Sequence, residues 1–394
     1  MKIQICLLKN FIYLLSLFSL SSCFLIKDKT PIDAPIVIGE FGSMTGSEST
    51  FGTSTHLGIQ MAIDEINAKG GLLSGRPLKL ISKDDKSSIE ETKRVVKELI
   101  TKHHVVALIG EVASSRTLAA APIAQRHKVP LISPASTNPK VTQIGSYIFR
   151  ICYIDPFQGY VMAKFAVENL KIKKIAILKD LNSSYSRDLA DYFAKTLKEL
   201  GGQVVANEVY SSGDINFKSQ LKRIRSQKPE AIFIPGYYTE VALIARQIKQ
   251  MGIKAYLLGG DGWDSKRLFE LGKEAVIGGY FSNHYTLESQ RPEAIQFRKK
   301  FLKKYNTTPD GLAAMGYDAL KILAYAIKKA GSTKNTDIRR ELSRIKNFPA
   351  VTGPITIDEN RNAIKPIFIV KVDGPTNRYV TTIQPKILKK REGN

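Results

Sequence analysis

The sequence predicts an α/β protein built as two doubly wound parallel-sheet lobes joined by a multi-strand hinge. Three observations carry this reading. The chain of 394 residues is too long for one ordinary core and long enough for two domains. From Ile36 onward, short apolar runs alternate with helical patterns, which argues for parallel sheets covered on both faces. The alternation is run through twice, and helices return after the second pass. A hydrophobic content of 43% with 24% charged residues is close to globular averages and excludes a largely disordered chain.

The first pass begins with IVIGEF at Ile36, followed by a helix from about Thr55 to Lys69 that Gly70-Gly71 stops. LKLIS, a helix from about Ile89 to Lys102, VVALIG, a helix from Ser115 to Lys128 and VPLIS follow. The second pass reads KKIAILK, a helix Tyr185 to Leu200 stopped by Gly201-Gly202, and QVVANEVY. It continues with a helix Phe217 to Ser226, AIFIPG, a helix Glu240 to Met251 and AYLLGG. The pattern breaks near Arg150 to Phe157, at Asp155-Pro156, and again near Ser282 to Thr286. Three further helices, Pro292 to Tyr305, Leu312 to Lys329 and Thr336 to Lys346, then carry the chain back to the first lobe. ITID and PIFIVKV read as a β hairpin joined by Glu359 to Asn362. The expected lobes are therefore residues 36–155 plus 285–350 and residues 156–284 plus 351–394, with several crossing segments acting as a hinge.

Lys2, Lys9, the apolar run Phe11 to Leu20 and Ser21-Ser22-Cys23 form a secretory signal pattern over residues 1–22. The apolar run is shorter than the roughly 20 residues that span a bilayer. Leu20-Ser21-Ser22-Cys23 resembles the bacterial lipobox, which implies acylation of Cys23, with residues 23–35 as the tether. The product is then exported and lipid-anchored to a bacterial membrane, facing the periplasm or cell exterior. Cys6 leaves with the signal, so Cys152 stands alone, without an intrachain disulfide, as a small buried residue. The net charge of +23 resides in blocks such as Lys218 to Lys228 and Arg298 to Lys304. Apolar residues at helical spacing interrupt these blocks, so they read as solvated helix faces, and no nucleic-acid partner is expected.

Chemistry concentrates between Val105 and Pro139. VVALIG and VPLIS each end in a small polar cluster, Ala113-Ser114-Ser115 and Ser133-Pro134-Ala135-Ser136-Thr137. Neighbouring parallel strands would bring both clusters to their carboxyl ends, where open α/β sheets place ligands. Ser114, where a helix begins, can receive an anion with the nearby amides, and plain N-capping is a compatible role. Asp261, between Gly260 and Gly262, reads from its neighbours alone as a turn residue. The glycine-rich stretch Gly39 to Gly52 lacks GxGxxG and GK[ST], which speaks against nucleotide phosphates. His56, His103, His104, His127 and His284 show no metal spacing, and no GxSxG surrounds a serine. No cofactor or metal is expected.

GEFGSMTGSESTFG and GIQMAIDEINAKGGLLSG, within Ile36 to Gly75, resemble the opening of the periplasmic Leu/Ile/Val-binding protein family, the type I solute-binding components of ABC transporters. So do KDDKSS (Lys83 to Ser88), IGEVASSRT (Ile109 to Thr117), PLISPASTNP (Pro130 to Pro139) and GGDGWDS (Gly259 to Ser265), in family order. The resemblance implies a type I periplasmic binding fold. It implies a monomer that captures a small amino acid, branched-chain or aliphatic, and delivers it to an ABC permease without catalysis. Ser114 would bind the ligand carboxylate with Thr137 and main-chain amides, and Ala135 would offer its carbonyl to the ammonium. Ser136 is small enough for close backbone approach, and Asp261 would be the ammonium counterion. Phe51, Tyr185 and Tyr237 fall where the family places aromatic walls, and Phe51 replaces a frequent Tyr, which removes a polar contact. A ligand-sensing lipoprotein and a binder of amides or urea share the pattern. Trp263 suits either the cleft or packing against the hinge.

Overall fold

The computed structural model describes residues 34–385, so the signal segment, Cys23, the tether to residue 33 and residues 386–394 lie outside the described residues. The first sheet contains β1 (Ile36–Gly42), β2 (Leu78–Asp84), β3 (Ala107–Ile109), β4 (Leu131–Ser133) and β5 (Ile148–Arg150). All pairs are parallel, in the order β2-β1-β3-β4-β5. Between these strands lie α1 (Ser49–Ala68), α2 (Ile89–Thr101), α3 (Ser114–Arg126) and the single turn α4 (Lys140–Gln143). Helix α2 shows how local sequence sets such an element. The Ser88 hydroxyl caps it by accepting from Glu91 N, Glu90 and Glu91 favour its positive end, and Val95, Val96, Leu99 and Ile100 form its buried face.

After β5 the chain crosses to the second lobe through α5 (Asp155–Lys164), which a π turn at Phe165–Asn169 extends. The Asp155-Pro156 pair therefore opens a helix where a break in regularity was expected. Proline is tolerated in a first turn because its missing amide would have no intrahelical partner there. The second pass then follows as β6 (Lys174–Asp180), α6 (Ser184–Glu199), β7 (Gln203–Tyr210), α7 (Lys218–Ser226) and β8 (Ala231–Ile234). It ends with α8 (Tyr238–Gln250), β9 (Tyr256–Gly259), α9 (Lys266–Gly272) and β10 (Tyr280–Asn283).

The second crossing leads back to the first lobe and to α10 (Pro292–Tyr305), α11 (Gly311–Ala330) and α12 (Asn335–Leu342). Helix α11 is buried almost all round and shares a core with α1 and the first sheet. At their crossing, a Cβ on Gly58 would lie 1.9 Å from the Ala313 carbonyl oxygen, so only glycine permits this approach. The two helices run side by side and bring Phe51 and Leu312, near their amino ends, to the interlobe cleft.

A small sheet of β11 (Phe348–Ala350), β12 (Gly353–Ile357) and β13 (Ala363–Ile364) comes next, and β14 (Ile367–Val372) and β15 (Asn377–Ile383) then join the second sheet. Its order is β15-β14-β10-β9-β8-β6-β7, parallel except where β14 pairs with β10 and β15. This corrects two expectations. ITID pairs with the short β13, and PIFIVKV does not complete that hairpin: Pro366 has no amide to donate, and the chain crosses lobes there. Ile355, Ile357 and Ala363 pack with Ile36, Ile38 and α11, so residues 351–364 belong to the first lobe's core and the last second-lobe segment begins near residue 366. The chain thus crosses between the lobes three times.

Candidate functional site

In the first sheet, the order β2-β1-β3-β4-β5 reverses direction between β1 and β3, and in the second the same reversal falls between β6 and β8. Such switch points open a crevice at the carboxyl ends of the strands. The two crevices face each other, and a small cavity lies between them. Phe51, Val112, Ser114, Ala135, Thr137 and Leu312 line it from the first lobe, and Tyr185, Tyr237, Asp261 and Gly262 from the second. Of the eight candidate ligand-binding residues, the structure brings seven to this one cavity.

Ser136 is the exception. It is fully buried, and its hydroxyl lies 2.6 Å from Thr117 Oγ1 and donates toward the carbonyls of Glu111 and Val112, both at 2.9 Å. The hydroxyl is turned into the first lobe, where it ties the loop after β4 to the loop after β3. Ser114 differs from expectation in a smaller way. Ala113 occupies the N-cap, Ser114 is the first helical residue, and its hydroxyl accepts from Asn138 N at 3.3 Å. The free amides at the start of α3 give this wall a partial positive charge. Glu111 fixes the turn that leads into the helix. One carboxylate oxygen accepts from Ala113 N and the other from Ser43 N at 3.1 Å, while buried Arg116 lies 3.4 Å from that same carboxylate and 3.2 Å from Glu48.

The opposite wall carries the negative charge. Asp261 follows β9 in a short 3-10 turn and is 8% exposed. One of its oxygens accepts from Gln158 Nε2 at 2.7 Å and from the Tyr185 hydroxyl at 2.9 Å, and the other lies 2.9 Å from His284 Nε2. Burial, and then the Asp261 charge, push the Tyr185 hydroxyl well above its usual pKa, so it stays a donor. Burial pushes the His284 imidazole down despite the carboxylate beside it.

Between the two walls lie aromatic rings. Phe51 meets Tyr237 edge to face with centroids 5.4 Å apart, and Tyr237 stacks on Tyr185 at 5.4 Å with 4° between the planes. Thr137 Oγ1 and the Tyr237 hydroxyl are both buried and line the cavity, with Asp155 as the neighbour of Thr137 and Ser183 as the neighbour of Tyr237.

The lobes are closed on each other. Ser115 Oγ lies 3.0 Å from Ser184 Oγ, Asn138 Nδ2 donates to Asp188 at 2.9 Å, Thr239 donates to the Ser47 carbonyl at 2.8 Å, and Gly311 N donates to Asp264 at 2.8 Å. Trp263 is fully buried in the second-lobe core and donates to the Ile234 carbonyl at 2.9 Å, so it packs behind the site and does not line the cleft. Cys152 is also fully buried, and burial pushes its thiol up to about 12, where it is inert.

Sequence reasoning missed Val112, Leu312, Gln158, His284 and Arg150. Arg150 is fully buried and donates to the carbonyls of Ser136 at 2.6 Å and Asn138 at 2.7 Å, so it shapes the loop that carries Ala135 and Thr137. A buried-looking arginine at the end of an apolar strand, next to the first crossing, was the available signal.

The family model described as periplasmic binding protein matches residues 35–377. The Leu/Ile/Val-binding protein BraC3 of Rhizobium johnstonii is 30% identical over 332 residues, which cover 83% of this chain and 88% of that protein. Among solved structures, the leucine binding protein LivK of Thermotoga maritima is 41% identical with a TM-score of 0.86, covering 90% of this chain and 100% of that one. The branched-chain amino acid transporter substrate binding protein LivJ of Streptococcus pneumoniae, in complex with isoleucine, is 31% identical with a TM-score of 0.85, covering 89% and 100%.

Proposed function

The chain belongs to the periplasmic binding protein family, and from that premise we propose that it is the solute-binding protein of an ABC importer, capturing a small branched-chain or aliphatic amino acid between its lobes. The observation that carries this reading is the polarity of the cavity. A helix amino terminus with Ser114 and Thr137 stands on one wall, a carboxylate held by Gln158 and Tyr185 stands on the other, and apolar and aromatic side chains lie between. That arrangement complements a zwitterion with an apolar side chain. The ligand carboxylate sits at the start of α3, its ammonium meets Asp261 and the Ala135 carbonyl, and Val112, Phe51 and Leu312 cover its side chain. Charge-assisted hydrogen bonds of roughly 1.5–3 kcal/mol at both ends favour free amino acids over compounds lacking either charge.

Closure follows because the two ends are held by different lobes, so only the closed form satisfies both. Relatives named for Leu, Ile and Val, and a solved neighbour holding isoleucine, support the side-chain class. The protein is exported, Cys23 carries the lipid that anchors it to the membrane, and the loaded form delivers its ligand to the permease. Native mass spectrometry of protein purified without denaturation tests the reading. It is expected to release an intact branched-chain or aliphatic amino acid, whereas release of a reaction product would overturn capture in favour of catalysis.

A further inference from the structure

Asp261 is useful to a ligand ammonium only if its charge is left uncompensated and its carboxylate is aimed into the cavity. The group on its far side is His284. This residue stands at the start of the second crossing between the lobes, directly after β10, and is fully buried. Its ring stacks on Tyr153 of the first crossing, with centroids 4.0 Å apart and 29° between the planes. Its Nε2 lies 2.9 Å from the Asp261 oxygen that Gln158 and Tyr185 leave free.

Nε2 must be the donor in this contact, since a carboxylate oxygen only accepts. The other ring nitrogen, Nδ1, is buried without a partner among the described residues. A proton there would be an N–H with no acceptor beside the buried Lys365 of the third crossing, so the geometry selects the neutral ring.

We propose that His284 is the positioning residue of the ammonium site: as a neutral imidazole it donates to Asp261 and aims it, and because it stands on a crossing segment, protonating it opposes ligand capture. The inference rests on the amino-acid reading above and concerns the same site. A neutral donor leaves Asp261 its full charge, whereas an imidazolium would neutralise the carboxylate and place a second cation next to the ligand ammonium.

The groups that face the ring set the sign. Asp261 favours protonation and Lys365 disfavours it, while burial keeps the Tyr153 and Cys152 side chains neutral. Burial is the largest influence and depresses the imidazole, and a ligand ammonium on Asp261 would depress it further by adding a cation beside the ring, so ligand capture releases a proton and ligand affinity falls as pH falls. A carboxyl group buried at the contact between the lobes acts in the opposite sense. Asp264, which accepts from Gly311 of the other lobe, is pushed up to about 8 by burial and by Asp310. Protonating it strengthens closure toward acid, so the direction of the slope separates the two mechanisms.

The test is calorimetric titration with L-leucine from about pH 5 to about pH 8, the window in which histidine titrates, in wild type, His284→Gln and His284→Phe. Wild type is expected to weaken several-fold toward the acid end. His284→Gln, which can still donate to Asp261, is expected to bind within about threefold of wild type at pH 8 and to lose the acid weakening. His284→Phe keeps the stacking on Tyr153 without a donor and is expected to bind roughly tenfold more weakly throughout, the loss of one hydrogen bond to a charged group. Acid weakening that persists in His284→Gln, or wild-type affinity in His284→Phe, overturns the proposal and leaves the amino-acid reading standing. Wild type that binds neither leucine, isoleucine nor valine at any pH overturns that reading, and this inference with it.

Discussion

Asp261→Ala is expected to weaken L-leucine binding by roughly 30-fold to several thousandfold, the consequence of losing about 2–5 kcal/mol when one partner of a buried charge pair is removed. The carboxylate is the group on the second-lobe wall that can meet an ammonium, and Gln158, Tyr185 and His284 hold it in place. Alanine also leaves those three donors without their acceptor. Asp261→Asn therefore separates charge from hydrogen bonding. Asparagine keeps an acceptor for Gln158 and Tyr185 but loses the charge and the acceptor that faces His284, a smaller disruption than alanine, so the variant is expected to stay folded by circular dichroism and still lose binding by an order of magnitude or more. An unchanged calorimetric affinity in both variants would remove Asp261 from the site.

Arg150→Met is the second large expectation, and it acts on stability first. The guanidinium is sequestered at the end of β5 and satisfies the carbonyls of Ser136, Asn138 and Pro139, at 2.6, 2.7 and 3.3 Å. Methionine fills similar space but orphans these acceptors, at about 1–3 kcal/mol for each buried group left unpaired. The variant is expected to lose about 3 kcal/mol or more of unfolding free energy in a urea titration. Whatever remains folded should bind leucine more weakly, because the loop carrying Ala135 and Thr137 has lost its support. A stability unchanged from wild type would mean that water or the loop itself satisfies those carbonyls.

The contrast between Asp261 and Arg150 shows what was legible in the chain. Ser114, Ala135, Thr137 and Asp261 each follow directly on a short apolar run, and in a parallel sheet that local pattern is enough to place them at a strand's carboxyl end. The repeated alternation likewise exposed both lobes and the return of the last helices. Ser136 sits in the same cluster, but adjacent residues in an extended loop point different ways, and its hydroxyl turned inward to Thr117. Gln158, His284 and Leu312 could not be found locally, because each reaches the site from a crossing segment or a distant helix. Pro156 misled because its effect depends on whether it falls in the first turn or the interior of a helix. Pro366 ended a hairpin that the alternation of ITID and PIFIVKV favoured, and only the core around Ile355 and Ile357 decides to which lobe that segment belongs.

The central claim is that the two lobes hold the two charged ends of one amino acid. Calorimetric titration of the wild-type protein with L-leucine, with leucinamide and with 4-methylpentanoate tests it directly, since the amide lacks the carboxylate and the acid lacks the ammonium. Leucine is expected to bind, and each analogue to bind about 30-fold more weakly or worse, since each leaves one buried charged wall without its partner. Binding of 4-methylpentanoate as tight as that of leucine would contradict the account, for Asp261 would then face no ammonium.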